Sequence, residues 1–245
     1  MSFFTVPVFL VMAIPSSAVE ISLKICHEDR YYPPYIYQEE NVTKGILVDI
    51  IKAAVKEVNV SLELYSKPWI RCQQDVISGQ AHALFAMVQT DERKQVFAFP
   101  TERKISEWYM WLAQYPVFTA KGTSFVAAEY SPNKGMGAPL GYVIWDILNG
   151  NNWLSPYQYE PIDGLKMLAI NKLDGYVVER QIGLHLLEIN NLTSEVEVNE
   201  DLLLQSKWYL PFNKSFYKSE KALVEEIWSH IAVQRKKFEG VISPK

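Results

Sequence analysis

The apolar positions of residues 19–88 switch repeatedly between the strand period and the helix period, and that alternation limits the fold more than any other feature of the chain. Residues 19–26 alternate, with Ile21, Leu23 and Ile25 apolar, and predict a strand. From Gly45 onward, Leu47, Ile50, Ile51, Ala54, Val55 and Val58 fall at helical spacing and predict an amphipathic helix. Residues 60–65 predict a second strand. Pro68 stands where a helix opens, residues 69–78 fit that helix, and Gly79 ends it. Residues 81–88 predict a third strand. Strand, helix, strand, helix, strand implies a parallel sheet. Ligands of such sheets bind in the loops at the carboxyl ends of the strands. Here those loops are residues 26–37, 65–71 and 88–93. The first holds the stiff aromatic run YYPPYIY, where Pro33 and Pro34 forbid a helix.

A second unit of the same kind follows. Residues 135–139 predict a short strand or turn, 141–148 and 163–172 two helices, and 173–179 another strand. The segments VISGQAHALFAM (76–87) and LAINKLDGYVVE (168–179) match as a helix end, a turn and a buried strand. His82 then corresponds to Asp174, and Met87 to Glu179. Two similar α/β lobes are expected, crossed by strands near 97–119 and 202–212, with a last helix over 219–238 that aligns Leu223, Ile227 and Ile231. A chain of 245 residues, 49% hydrophobic and 21% charged, carries enough apolar side chains for two cores.

Several function classes are disfavoured. The net charge is −4 and Lys and Arg are scattered, which argues against nucleic acid. The four histidines, His27, His82, His185 and His230, show no metal-ligand spacing, and no cofactor motif is present. A Cys26–His27 nucleophile would need an exposed free thiol. Residues 1–18, MSFFTVPVFLVMAIPSSA, are apolar and end in small residues. Ser16, Ser17 and Ala18 fit a signal-peptidase site, with cleavage before Val19. The run is too short, and too interrupted by Pro7 and Pro15, for a membrane span. A mature soluble protein in the periplasm is expected. In such an oxidising compartment Cys26 and Cys72 either pair or remain two separate buried thiols.

The loop after the third predicted strand carries Thr90 and, three residues on, Arg93. A guanidinium there offers a planar fork that matches a carboxylate. The order of motifs is informative: Pro33-Pro34-Tyr35, then Gly45-x-x-x-Asp49, Trp69, Gly79, Thr90-x-x-Arg93 and Phe99-Pro100. Gly137-x-x-x-Gly141, then Asp174 and Glu179, follow in the second unit. Over residues 20–245 this resembles the family 3 extracellular solute-binding proteins, the polar amino acid receptors of bacterial ABC transporters.

The resemblance implies a two-lobed type II periplasmic-binding-protein fold of the α/β class. Each lobe is a mostly parallel sheet flanked by helices, and two crossing strands join them. The first lobe is expected to comprise residues 19–105 and 208–245, the second 106–207. The resemblance gives Arg93 the ligand's α-carboxylate with help from Thr90, gives Glu179 its α-amino group, and makes Tyr35 a wall of the site. It further implies a monomer that performs no covalent chemistry, closes on a small-molecule ligand and serves an ABC permease or a membrane sensor. The same fold also hosts a dehydratase of cyclohexadienyl acids such as prephenate, with Glu179 as the candidate acid; that is the alternative function.

Departures from the family pattern matter. Val88 stands where a Ser or Thr is usual, and Tyr142-Val143 follow Gly141 where a hydroxyl residue is usual. Both changes remove hydrogen bonds to a ligand carboxylate. His82 replaces a usual Asp, as a structural change without a metal role. Trp69 and Arg71 sit in the second loop, where Arg71 would add a second cation to the cleft and Trp69 could stack on a flat ligand. This Pro-Trp-x-Arg-Cys arrangement resembles a variant subgroup of the family. In such sheets the loops carrying Cys26 and Cys72 are neighbours, which implies a disulfide between them.

Overall fold

The computed structural model describes residues 21–100 and 107–239. The expected signal segment and residues 101–106 lie outside them. Strand β1 (Ser22–Glu28) leads through the Pro-Pro loop into a hairpin of β2 (Tyr37–Glu39) and β3 (Val42–Lys44). The two turn residues, Glu40 and Asn41, both have positive φ, as the tight hairpin twist demands. Helix α1 (Ile46–Glu57), β4 (Ser61–Lys67) and α2 (Trp69–Ser78) follow. Next come β5 (Ala83–Phe85), β6 (Met87–Val88), α3 (Asp91–Val96) and β7 (Phe97–Ala98).

Beyond residue 107 the chain forms β8 (Trp111–Ala120), β9 (Met136–Gly137), α4 (Val143–Gly150), α5 (Pro161–Ala169), β10 (Gly175–Val177) and α6 (Arg180–Ile189). The long β11 (Val196–Tyr209) then returns to β12 (Phe212–Asn213), α7 (Lys214–Ser219) and α8 (Lys221–Phe238). Among the described residues no helix is long and apolar enough to cross a membrane.

Two five-stranded sheets organise the molecule, in the orders β4-β1-β5-β12-β7 and β6-β11-β8-β10-β9. In the first, β1 runs parallel to β4 and β5, while β12 is antiparallel to β5 and β7. Helix α1 buries Leu47, Ile50, Ile51, Ala54 and Val55, and packs beside α8, whose buried row is Val224, Ile227, Trp228 and Ile231. Leu223, expected in that row, is only half-buried.

The expectation of a mostly parallel sheet in each lobe needs correction. In the second sheet only β9 and β10 are parallel; β6, β11, β8 and β10 pair antiparallel. The cause is the pair of long strands β8 and β11. One leaves the first lobe and the other returns to it, so they meet head to tail in the middle of the sheet. The single strand expected over 81–88 is also split: β5 ends in the first sheet and β6 begins in the second. The third parallel strand therefore delivers its carboxyl end directly to the junction of the two sheets.

Cys26, in β1, and Cys72, in α2, are joined by a disulfide across 46 residues of sequence. It fastens the carboxyl end of β1 to the first turns of α2. Glu28 lies two residues beyond one half-cystine and Trp69 three residues before the other.

Candidate ligand-binding site

The carboxyl ends of β1 and β5, the start of α2 and the opening of α4 surround a narrow, partly open cavity. Of the residues singled out in the sequence, Thr90, Arg71 and Glu179 do not line it, and Tyr35, Trp69, Val88, Arg93 and Tyr142 do. So do residues that the sequence did not single out, above all Glu28 and the aromatic rings of Tyr32, Phe85, Tyr115 and Trp208.

Arg93 is held from below and from across the cleft. Thr90 caps α3 by accepting the Arg93 backbone N–H at 3.2 Å, which fixes the helix on which Arg93 rides. The guanidinium donates to the carbonyl of Val88 at 2.8 Å and to the carbonyl of Gly141 in the second lobe at 3.0 Å. Among the described residues no carboxylate lies within ion-pair distance of it. Burial lowers its pKa, the signature of a cation deprived of water. Gly141 adopts φ +78°, and its carbonyl also accepts the Trp69 indole N–H at 3.1 Å.

Tyr35 is 2% exposed and is positioned by the start of α1. The Ile46 and Leu47 N–H groups donate to the carbonyls of Pro34 and Tyr35. Gly45, at φ +122°, leaves no space for a Cβ against the Tyr35 backbone. From that anchor the Tyr35 hydroxyl crosses to the second lobe and donates to Glu179 at 3.0 Å.

Glu179 is not a cavity wall. It is the N-cap of α6, where its other oxygen accepts the N–H groups of Gln181 at 2.8 Å and Ile182 at 3.3 Å. It faces a separate pocket behind Tyr35, with Trp111, Gln114 and Arg180. Burial pushes its pKa up to about 7 despite those hydrogen bonds. The acid that does line the cavity is Glu28, the last residue of β1, which accepts the Tyr142 hydroxyl from the opposite lobe. Burial raises its pKa to about 7 as well, with the Tyr142 hydrogen bond opposing the shift. Its signal in the sequence was its place at a strand's carboxyl end, in the first of the loops where a ligand was expected.

Arg71 is not brought to the cavity. It lies on the exposed face of α2 and donates to Gln74 at 3.0 Å. The helix period explains this, because Trp69 and Cys72 take the buried face and Arg71 falls between them. His82 accepts the Lys24 backbone N–H through Nδ1 at 2.9 Å and stacks on Phe216, a packing role.

The chain belongs to the bacterial extracellular solute-binding proteins, family 3, whose sequence model matches residues 23–237. Solved structures share the fold. A histidine kinase sensor domain with similarity to periplasmic binding proteins superimposes with a TM-score of 0.73 at 16% identity, covering 89% of this chain and 91% of that one. The arginine-, lysine-, histidine-binding protein ArtJ from Geobacillus stearothermophilus gives 0.71 at 19%, covering 92% and 97%. A substrate-binding protein of an ABC uptake transporter from Streptococcus pneumoniae, with bound histidine, gives 0.70 at 18%, covering 89% and 88%. No curated protein matches the chain in sequence.

Proposed function

We propose that this member of the family is a periplasmic receptor that captures a small polar solute bearing a carboxylate, by hinged closure of its lobes, and carries out no covalent chemistry. The single observation that carries this is Arg93, a cation in an aromatic cavity between the lobes, bonded to two carbonyls and paired with no acid among the described residues. A partly buried charge that Asp146 and Glu92 influence only from beyond ion-pair distance gains from a carboxylate supplied by the solute. Thr90 serves by holding Arg93 in place. Tyr35, Trp69, Val88 and Tyr142 serve as walls.

The lobes are taken as residues 19–105 with 208–245, and 106–207, after a signal peptide over 1–18. Closure follows from the placement of the groups. Arg93 belongs to the first lobe and the Tyr142 ring to the second, so a solute in contact with both favours the closed state. The receptor acts as a monomer and hands its solute to an ABC permease or presents it to a membrane sensor. The similar structures that bind arginine, lysine or histidine support a nitrogenous carboxylic acid as the solute class.

The test is a thermal-shift screen of the chain from Val19 onward, against amino acids, dicarboxylates and other small organic acids. A ligand that binds only the folded protein raises its melting temperature. Stabilisation that disappears in Arg93→Ala is expected. Stabilisation that survives that substitution would remove the carboxylate role from Arg93.

A further inference from the structure

Resting on that reading, we infer that the cationic end of the solute is a methylated ammonium, so that the solute is a betaine-type carboxylate and not a primary α-amino acid. The acceptors of the site lead to this. Glu179 spends one oxygen on the Tyr35 hydroxyl and the other on two backbone N–H groups of α6. The Val88 and Gly141 carbonyls are spent on Arg93 and Trp69. Val88 and Val143 line the cavity without a hydroxyl. Tyr115 already accepts the Trp208 indole N–H at 2.7 Å.

Among the side-chain acceptors that line the cavity, the second oxygen of Glu28 stands out, beside the Tyr32 hydroxyl, which is buried without a partner at hydrogen-bonding distance, although Glu28 and Tyr142 lie close enough to influence it. A primary ammonium would bring three N–H donors to these few acceptors, and an unpaired buried donor is costly. A trimethylammonium brings none. Its charge is spread over methyl groups, which aromatic faces attract.

The wall suits that group. Rings of Tyr32, Trp69, Phe85, Tyr115, Tyr142 and Trp208 line one cavity. They brace one another edge-on: Trp69 against Tyr142 at 5.9 Å, and Tyr115 against Trp208 at 6.4 Å between centroids. Glu28 supplies the counter-charge inside this cage, and Arg93 receives the carboxylate. The cavity thus offers one acid and one base to a solute with one of each.

The experiment is calorimetric titration with matched pairs: glycine and glycine betaine, L-proline and its N,N-dimethyl derivative, γ-aminobutyrate and its trimethyl derivative. In at least one pair the methylated member is expected to bind about ten-fold tighter or better, and Glu28→Gln or Trp69→Ala should weaken it by a similar factor. Tyr142→Phe is the milder variant, should either of those fail to melt cooperatively. Equal or tighter binding of the primary or secondary amine overturns the inference and leaves the carboxylate role of Arg93 intact. Binding of some other carboxylate with none of the pairs does the same. Failure of every carboxylate tested defeats both.

Discussion

The Tyr35 hydroxyl donates to the Glu179 carboxylate at 3.0 Å, from a loop of the first lobe to a helix cap of the second. This contact closes the cleft with the protein's own groups. Four others work beside it: Tyr142 with Glu28, Arg30 with Glu160 at 2.7 Å, and Arg93 and Trp69 with the Gly141 carbonyl. Glu179 thereby has two roles that exclude a third. It holds the N-terminus of α6 and accepts Tyr35, so its oxygens are not available to a solute.

Replacing Tyr35 by Phe removes one donor and leaves a buried carboxylate oxygen unsatisfied. The expected cost is about 1–3 kcal/mol. For a chain of this size that lowers the melting temperature by roughly 2–4 °C per kcal/mol. An unchanged melting curve would mean that the contact contributes nothing in solution.

The Cys26–Cys72 disulfide closes a loop over a separation of 46 residues. A cross-link of that span stabilises by about 2–4 kcal/mol, chiefly by restricting the unfolded chain. Urea unfolding with and without reductant should separate by that amount. Solute binding should weaken on reduction too, because the bridge ties the Glu28 strand to the Trp69 helix. Finding two titratable thiols in the protein purified from the periplasm would defeat this prediction.

Much of the first lobe was legible in the sequence because its elements announce themselves locally. The period of Leu47 to Val55 specifies α1, and Pro68 and Gly79 bracket α2. The second sheet was less legible, since its antiparallel core depends on β8 and β11, which meet at a separation that no local pattern encodes. Arg93 was singled out because its fork sits on a short turn past a buried strand, whereas Thr90, expected to help hold a carboxylate, is instead the cap of α3. Tyr142 was named from its place after Gly141, whereas Glu28 was not, because a glutamate at a strand end is ordinary alone and meets Tyr142 only through the fold. Arg71 shows the converse error. Placing it in the right loop was not enough, because one step around a helix turned it to solvent.

Helix α6 lies on β8 through Gly183, where an added Cβ would overlap the Phe118 ring, itself fully buried. Gly183→Ala gains helix propensity but forces the ring or the helix to move. The net effect should be a loss of about 1–3 kcal/mol. A melting temperature at or above the parent value would show that α6 shifts freely, and would loosen the argument that it fixes Glu179.

Glu28 and Glu179 give the protein an unusual pH response. Both carboxyls are raised to about 7 from an ordinary value of 4.5, chiefly by burial. A carboxyl raised on folding binds its proton more tightly in the folded state. Its contribution is therefore fully present below the unfolded pKa and is lost as pH rises through about 7. The unliganded protein should lose stability between pH 5 and pH 8, by about 1–3 kcal/mol for each acid. His27 has a lowered pKa, so its contribution is lost as pH falls and opposes the trend only on the acid side. Glu179→Gln should remove about half of the slope while preserving an acceptor for Tyr35. Affinity for a cationic solute should move the other way, rising with pH as Glu28 ionises. Urea midpoints and calorimetric titrations at pH 5, 6, 7 and 8 test both halves. A parent protein that gains stability toward pH 8, or a Gln variant with the parent slope, would show that these carboxyls are ionised in the folded state.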